Sequence, residues 1–357
     1  MSSQVPQSMK AIRYNKVKDY ELVTLPVPTP KADEVLIKVR SCGICGTDLH
    51  IHDGDFESRM PVVTGHETSG EVVAIGSTVT GFSIGDRVTG DNSELCGHCH
   101  FCREGKLLFC ENFSAHGVHF SLILQVVNGG FAEYCVFPAA KLFRFSVCSW
   151  EEASLFEAAA CAVHGLDRLL PRPGSTALLL GIGPTSICLA QLLKLNGVQK
   201  LIIAARAGDK MELGKKLAIA DEYLELDRNS DDANNQKWAA MHEKYPHGFD
   251  NVIDATGDPS MLNLAIDFCT KAGKVMFYGA YAPEDMIEIS PGKIFRDEIT
   301  ILGSFSQMWC LPRAVEYLES RKVDVRGVVT HTFPLENFGD ALDAVRTKKC
   351  IKATILP

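Results

Sequence analysis

The sequence lacks a long uninterrupted apolar run, and it lacks blocks of like charge. Its longest apolar stretches are broken by glycine or by charged residues, short of the roughly 20 apolar residues that a membrane-spanning helix needs. Acidic residues outnumber basic ones, 44 to 36, which gives a formal net charge of −8. Because nucleic-acid binding requires clustered lysine and arginine, we expect neither a membrane nor a nucleic acid as a partner.

Targeting signals are missing as well. The first residues, M-S-S-Q-V-P-Q-S-M-K, have no apolar core of the kind found in signal peptides, and A-T-I-L-P at the end carries no retention or peroxisomal signal. We therefore expect a cytoplasmic protein. In that compartment an odd count of 13 cysteines, several of them tightly spaced, favours metal ligation over disulfide bonds.

One group of metal-binding residue types lies within residues 42–79. The segment begins S-C-G-I-C-G-T-D-L-H and continues, after a short loop, as G-H-E-T-S-G-E-V-V-A-I-G-S-T-V. Cys45, His66 and Glu67 offer a thiolate, an imidazole and a carboxylate, the ligand types of a catalytic zinc. Asp48 is predicted to accept the second ring N–H of His66 and so to fix the nitrogen that faces the metal. Alone, Cys45 or His66 would read as a core residue; together they indicate a metal site.

A second group of cysteines predicts a structural zinc. The segment C-G-H-C-H-F-C-R-E-G-K-L-L-F-C contains Cys96, Cys99, Cys102 and Cys110. Two-residue gaps allow successive thiolates to reach one ion, and four thiolates complete a tetrahedral shell that leaves no position for water. The alternative, scattered free thiols, explains this spacing poorly.

The spacing G-H-E-x-x-G-x-x-x-x-x-G-x-x-V and the cysteine lobe resemble the medium-chain dehydrogenase/reductase superfamily, the zinc alcohol dehydrogenases and their polyol-oxidising relatives. Within it the chain is most similar to fungal NADP-dependent D-arabinitol dehydrogenases, over S-C-G-I-C-G-T-D-L-H-I-H, A-C-A-V-H-G-L-D and I-L-G-S-F-S-Q-M-W-C-L-P-R-A-V-E-Y-L. The resemblance implies an α/β protein with a β-rich GroES-like catalytic domain at 1–155, including a structural zinc lobe at about 96–110. A Rossmann domain with a doubly wound parallel sheet follows at 156–300, and residues 301–357 return to the first domain.

The same resemblance assigns catalytic roles. Glu157, on a helix that Ser149 is predicted to cap, matches the family's further protein contribution to the catalytic zinc. Whether Glu67 or Glu157 binds zinc directly is left open. Thr47 is expected to accept the substrate proton and His50 to pass it outward, with His52 as a weaker substitute. The zinc would lower the pKa of a substrate hydroxyl, and a hydride would pass to a nicotinamide.

A cofactor-binding turn is predicted in S-T-A-L-L-L-G-I-G-P-T-S-I-C-L-A-Q-L-L-K-L. Gly181 and Gly183 follow a buried strand, and Pro184 opens a helix whose N-terminus suits a pyrophosphate. The resemblance further places the backbone around Ser304 near the nicotinamide.

The next strand bears on the choice between NAD and NADP. NAD-specific folds end this strand with an acidic residue that binds the ribose 2′-hydroxyl, whereas this chain has Ala205 followed by Arg206. We therefore predict NADP, with Lys210 as a second cation. The alternative is that Arg206 faces solvent and the cofactor is NAD.

The substrate is predicted from the resemblance to be a pentitol, D-arabinitol, oxidised to D-ribulose or D-xylulose. Ser304 and Phe305 stand where sorbitol dehydrogenases carry an Arg-Tyr pair, which disfavours a plain sorbitol enzyme. The alternatives are an NAD-linked sorbitol, xylitol or threonine dehydrogenase and, more remotely, a non-enzymatic NADPH-binding structural protein, although such proteins usually lack the metal ligands.

The family forms dimers and tetramers, so a homo-oligomer is expected. The apolar run H-F-S-L-I-L-Q-V-V-N, residues 119–128, exceeds the family pattern. It is interpreted either as an added strand at a subunit contact or as a gene-model artefact.

Overall fold

The computed structural model of the chain describes residues 5–56, 58–118, 126–282 and 284–357. The apolar run at 119–128 therefore lies mostly outside the described residues, and both interpretations of it stay predictions. Within the described part, no helix has the length and apolar character needed to cross a membrane.

Strands and helices follow one another along the described chain. The strands are β1 Ser8–Lys16, β2 Asp19–Pro26, β3 Glu34–Gly43, β4 Val62–Val63, β5 Glu67–Ile75, β6 Arg87–Gly90, β7 Ser93–Glu94, β8 Ser114–Ala115, β9 Tyr134–Pro138, β10 Leu142–Arg144, β11 Thr176–Leu180, β12 Lys200–Arg206, β13 Glu222–Leu226, β14 Phe249–Asp254, β15 Cys269–Phe277, β16 Thr300–Gly303, β17 Val329–Phe333 and β18 Lys352–Ile355. The α-helices are α1 Gly46–Asp53, α2 His100–Arg103, α3 Trp150–Ala153, α4 Phe156–Leu169, α5 Pro184–Leu195, α6 Asp209–Lys216, α7 Asp231–Lys244, α8 Pro259–Asp267, α9 Pro291–Asp297, α10 Leu311–Glu319 and α11 Phe338–Arg346.

The chain divides into two compact units. The first contains Met1–Glu157, Leu311–Arg321 and Arg326–Pro357, and the second contains Ala158–Cys310 and Lys322–Val325. The boundary predicted at residue 301 falls inside β16, which pairs with β15 in the second unit. The chain leaves the second unit only after Cys310, because β16 first completes the parallel sheet of that unit.

In the first unit, β3 is the central strand. It pairs with β5, β9 and β18, in a sheet whose described order is β10-β6-β5-β3-β18-β17. Successive side chains of a strand point to opposite faces, so Val35, Ile37 and Val39 enter one buried cluster while Leu36 enters another. The strand is therefore anchored on both faces, and its carboxyl end, Cys42 and Gly43, is held beside β5 and β18.

The second unit is built on a parallel sheet with the described order β13-β12-β11-β14-β15-β16. Its central strands are continuous apolar runs, as expected where helices cover both faces; Leu178, Leu179 and Leu180 of β11 are fully buried. The strand order reverses direction between β11 and β14. Ligands of doubly wound sheets bind at the carboxyl ends of the strands beside such a reversal, which here means the loops after Leu180 and Asp254.

Candidate catalytic metal site and cofactor-binding loop

The structure brings Cys45, His66 and Glu67 together. Cys45 immediately precedes α1, and Glu67 begins β5, where it pairs with Gly43 at the end of β3. One ligand atom from each of the three residues lies within 4.8 Å of the other two. His66 and Glu67 are buried, so their polar atoms need partners inside the protein.

Asp48 connects the ends of this cluster. Its Oδ2 accepts the backbone N–H of Cys45 at 2.9 Å, and its Oδ1 lies 3.8 Å from His66 Nδ1. Burial raises the pKa of Asp48, and the nearby His66 opposes that rise. Nδ1 of His66 thus faces the Asp48 carboxylate from beyond hydrogen-bonding distance, and the role of Asp48 in orienting this histidine stays a prediction.

Lys352 is a member of the site that the sequence analysis missed. It lies on β18, is buried, and places Nζ 2.6 Å from Oε1 and 2.5 Å from Oε2 of Glu67. Burial lowers the pKa of Lys352, but the carboxylate of Glu67 and the thiol of Cys45 outweigh it and raise the pKa overall. A lysine within the buried strand K-A-T-I indicates an anionic partner nearby, because a buried cation requires one. This pattern could have identified Lys352 from the sequence.

Gly43 makes room for this carboxylate. A Cβ at position 43 would lie 1.8 Å from Oε2 of Glu67 and 2.9 Å from Cε of Lys352. Any side chain there would displace the buried ion pair. The glycine in S-C-G-I-C-G is thus required by a close approach.

Glu157 lies in the first turn of α4, near the site but outside the tightest cluster. In the described residues the three ligand atoms within 4.8 Å of one another come from Cys45, His66 and Glu67. The carboxylate of Glu157 nevertheless contributes to the raised pKa values of both His66 and Lys352. The capping prediction is confirmed for the preceding turn: Ser149 accepts the N–H of Glu152 at 3.2 Å at the start of α3.

Thr47 and His50 lie on α1, directly after Cys45. Thr47 Oγ1 lies 3.6 Å from Cys45 Sγ. The side chain of His50 is 51% exposed, with Nδ1 3.7 Å from Asp55 Oδ2, so it contacts solvent. His52, by contrast, is hydrogen-bonded within the protein: its Nδ1 lies 3.0 Å from the hydroxyl of Tyr14.

The four cysteines of the lobe also converge. One sulfur from each of Cys96, Cys99, Cys102 and Cys110 lies within 4.8 Å of the others. Cys110 Sγ is 3.5 Å from Cys96 Sγ and 4.0 Å from Cys99 Sγ. Tetrahedral zinc with Zn–S bonds of about 2.3 Å separates its sulfurs by about 3.8 Å, whereas a disulfide joins them at about 2.05 Å. The spacing fits a tetrathiolate metal site.

The donor chemistry of both clusters fits zinc. At the first cluster, the thiol and carboxyl groups of Cys45, Asp48, Glu67 and Glu157 surround His66. Burial alone would lower the pKa of His66, yet Asp48, Cys45 and Glu157 together raise it well above its usual value. Such a concentration of negative charge in a buried site stabilises a cation, and the ligand set is one that zinc uses.

The predicted cofactor loop follows β11. Gly181 has φ of +97° and its N–H donates to Ala204 O at 2.8 Å. A Cβ there would lie 3.1 Å from Ala255 O, so the tight turn requires glycine. Gly183 then caps α5, which begins with Pro184. The free backbone N–H groups of this helix N-terminus are suited to a pyrophosphate.

The second β–α junction is basic. Arg206 is the last residue of β12, and Lys210 lies in the first turn of α6. A third cation, Arg228, comes from the loop after β13, whose Leu226 pairs with Arg206. Arg228 Nε donates to Ala207 O at 3.2 Å, and its Nη2 lies 3.2 Å from where a Cβ of Gly208 would be. The sequence analysis missed Arg228 because it follows a different strand.

Ser304 directly follows β16. Its backbone N–H donates to Phe277 O at 3.0 Å, while its hydroxyl is buried and makes no hydrogen bond within the described structure. A buried hydroxyl of this kind is available to a ligand.

The chain resembles known dehydrogenases in family, sequence and structure. The family described as "Alcohol dehydrogenase GroES-like domain" matches residues 31–147, and "Zinc-binding dehydrogenase" matches residues 184–320. D-arabinitol dehydrogenase 1 of Uromyces fabae is 48% identical over 353 residues, which cover 99% of this chain and 98% of that protein. Sorbitol dehydrogenase of Bacillus subtilis is 31% identical, with 100% and 99% covered.

Solved structures agree with this relationship. A zinc-binding dehydrogenase from Sinorhizobium meliloti, determined with NADP bound, superimposes with a TM-score of 0.90 at 29% identity, covering 99% of this chain and 100% of that one. 2R,3R-butanediol dehydrogenase from Bacillus subtilis gives a TM-score of 0.84 at 26% identity, with 98% and 100% covered.

Proposed function

Because the chain belongs to the zinc-binding dehydrogenases with a GroES-like domain, we propose that it oxidises the pentitol D-arabinitol with NADP as hydride acceptor. Membership makes it an oxidoreductase of the alcohol and polyol dehydrogenase type. The observation that carries the finer proposal is the 48% identity, over nearly the full length, to a D-arabinitol dehydrogenase. D-Ribulose or D-xylulose is the ketose product, depending on which secondary hydroxyl is oxidised.

We propose that Cys45, His66 and Glu67 hold a catalytic zinc, with Glu157 as a further contribution. Bound zinc supplies Lewis acidity that lowers the pKa of the substrate hydroxyl. Thr47 then accepts the substrate proton, supported by its hydroxyl lying 3.6 Å from Cys45 Sγ. His50, three residues further along the helix and half exposed, passes that proton to solvent. Asp48, whose Oδ1 lies 3.8 Å from Nδ1 of His66, orients the ring by its negative charge.

Lys352 belongs to the same proposal. The positive charge of Lys352 compensates the negative charge of the Glu67 carboxylate in the metal-free protein. It also holds the carboxylate within reach of the site.

Gly181, Gly183 and Pro184 would hold the pyrophosphate of NADP at the start of α5, and the bound cofactor would supply the hydride acceptor. We propose that Arg206, Lys210 and Arg228 bind the 2′-phosphate. Ala205 supports this choice, since it replaces the acid that would bind a free 2′-hydroxyl and would repel a phosphate. The backbone at Ser304 binds the nicotinamide.

A second zinc is proposed at Cys96, Cys99, Cys102 and Cys110, giving two ions per chain. Its role is structural, since four thiolates leave no coordination position for a substrate. We further propose a cytoplasmic homo-oligomer, a dimer or tetramer, acting on small-molecule substrates. In the described structure β15 is the only strand paired with β16, and the adjoining Phe305 and Trp309 are 55% and 65% exposed, which supports self-association.

The alternative is an NAD-linked sorbitol or threonine dehydrogenase, favoured by relatives of those names at 31% and 30–33% identity. A non-enzymatic role fits poorly with four converging cysteines and a complete thiol–imidazole–carboxylate cluster.

Initial rates with D-arabinitol, sorbitol, xylitol and L-threonine separate these possibilities. The proposal expects D-arabinitol to give the highest kcat/KM, and chromatography of the product identifies the ketose. A higher kcat/KM for sorbitol or L-threonine would replace the assigned substrate.

A further inference from the structure

The four-cysteine lobe is carried on a two-stranded stem. Just before Cys96, β7 pairs antiparallel with β8, with Ser93 opposite Ala115 and Glu94 opposite Ser114. The chain therefore enters and leaves the lobe through the same short ladder. A metal bound by the four cysteines would cross-link the loop that connects β7 to β8.

A polar cluster around the buried His116 holds the stem at its near end. His116 is buried, stacks on Phe137 with ring centroids 4.2 Å apart, and places Nε2 3.0 Å from Glu94 Oε1. Lys141 lies 2.9 Å from the same oxygen and also donates to the carbonyl of Ser93. His116 and Lys141 both contact the partly buried carboxylate of Glu94, and such charge-assisted contacts restrict the geometry of the stem.

Asn92 extends from the stem to the other metal cluster. Its carbonyl accepts the N–H of His116 at 2.8 Å, which ties it to the polar cluster. Its side-chain Nδ2 donates to the carbonyl of His66 at 2.9 Å. The residue is only 7% exposed, so little water competes for this hydrogen bond.

The carbonyl that Asn92 binds has a particular place in the chain. It belongs to the peptide unit between His66 and Glu67, which is planar. A single hydrogen bond to it therefore orients the backbone between two consecutive metal-ligand residues. The preceding Gly65 has φ of +98° and lies outside β5, and its carbonyl accepts the N–H of Gly130 at 2.8 Å. The bond from Asn92 is thus the contact that links the next peptide unit to the stem.

We propose that Asn92 is a positioning residue for His66 and Glu67, and that the stem of the four-cysteine lobe holds Asn92 in place. The lobe thereby stabilises metal binding at Cys45, His66 and Glu67. This inference rests on the proposed zinc at that cluster.

The test follows metal release from Co²⁺-substituted protein after addition of a chelator. One-thiolate and four-thiolate cobalt sites differ in absorption, so the two metals are followed separately in one sample. Removing an outer partner of a metal ligand typically costs 10–100-fold in affinity. For Asn92→Ala we expect the one-thiolate cobalt to leave about 10-fold faster while the four-thiolate cobalt leaves at the wild-type rate.

Asn251→Ala is the matched control. Asn251 is also buried and its Nδ2 donates to a backbone carbonyl, that of Thr176, at 3.2 Å, but in the second unit. Both cobalt spectra should decay at wild-type rates in this variant. Unchanged release in Asn92→Ala, or equal acceleration of both metals, overturns the proposal.

A second variant keeps the test decisive if Asn92→Ala does not fold. His116→Phe preserves the ring stack on Phe137 and removes the bond to Glu94. We expect it to accelerate release of the same one-thiolate cobalt, by less than Asn92→Ala does, and wild-type release would contradict the role of the stem. If wild-type protein never develops a one-thiolate cobalt spectrum, the proposed catalytic metal is wrong, an outcome distinct from failure of the Asn92 inference.

Discussion

Lys352 and Glu67 form a buried ion pair, with Nζ 2.6 Å from Oε1, between residues 285 positions apart in sequence. The pair joins β18, which follows the second unit in the chain, to the first residue of β5. Glu67 therefore has a fixed cationic partner within the metal cluster, and its carboxylate is held whether or not it binds a metal.

Breaking this pair is predicted to destabilise the protein. Lys352→Met keeps most of the side-chain volume but leaves a buried carboxylate uncompensated, which costs about 3–5 kcal/mol in comparable buried pairs. Denaturant unfolding of the metal-free protein measures this loss. The double variant Lys352→Met, Glu67→Gln should recover most of it, because no buried charge remains.

The control for that experiment is Lys10→Met, which removes a solvent-exposed ion pair with Glu336. Exposed pairs contribute little, so its unfolding midpoint should match the wild type. If Lys352→Met were no less stable than Lys10→Met, the buried pair would have no structural importance.

Thr47 is predicted to act through its hydroxyl alone. Thr47→Ser should retain most of kcat, whereas Thr47→Val, of the same shape, should lose about 100-fold or more, the usual contribution of a positioned proton-transfer group. Steady-state oxidation of D-arabinitol checks both variants. Comparable rates for Ser and Val at this position would remove Thr47 from the mechanism.

The basic cluster after β12 is predicted to select NADP. Arg206→Ala and Arg228→Ala should each raise KM for NADP about 10-fold or more, since hydrogen bonds to charged groups contribute about 1.5–3 kcal/mol. KM for NAD, which has no 2′-phosphate, should change less than about twofold, because those hydrogen bonds are absent with NAD. Arg296→Ala, on α9, is the control. An equal rise in KM for NADP and NAD would mean that the arginines act on folding or on another part of the cofactor.

Glu222 gives a pH dependence with a defined sign. Burial opposes its ionisation, yet Lys200 and Lys244, each with Nζ 2.7 Å from a carboxylate oxygen, lower the pKa of Glu222 to about 2. Because the unfolded pKa is about 4.3, this stabilisation is fully present above that pH and disappears as the pH falls towards 2.

The free energy of unfolding of Glu222→Gln tests this relationship. At pH 7 the variant should be less stable than wild type, and the difference should shrink between pH 5 and pH 3. A difference that stays constant over this range would show that the carboxylate charge does not stabilise the fold.

Sequence reasoning grouped residues that the structure brings together where those residues lie close in sequence. Cys45 and Asp48 lie within one turn, and His66 and Glu67 are adjacent. The four cysteines lie in one short lobe. In each case the spacing in the sequence indicates that the residues belong to one site. The strand, glycine turn and helix around Gly181 are also contiguous, and the structure has them in that order.

It failed where the partner comes from a distant strand. Lys352 reaches Glu67 only because β18 pairs with β3 beside β5, a register that no local pattern reveals. Arg228 reaches the end of β12 from the neighbouring strand β13 for the same reason. The boundary at residue 301 was predicted from the resemblance, whereas the pairing of β16 with β15 and the extent of the second unit to Cys310 depend on the folded sheet.

The most direct test of the proposed function combines metal content with initial rates. Purified wild-type protein and Cys45→Ser are assayed for zinc and for D-arabinitol oxidation with NADP and, separately, NAD. Cys135→Ala, which changes a buried cysteine outside both metal clusters, is the control. We predict two zinc ions per chain and a higher kcat/KM with NADP for wild type and Cys135→Ala, against one zinc and no turnover for Cys45→Ser. Undiminished turnover by Cys45→Ser, or by wild-type protein freed of zinc, would contradict a zinc-dependent dehydrogenase.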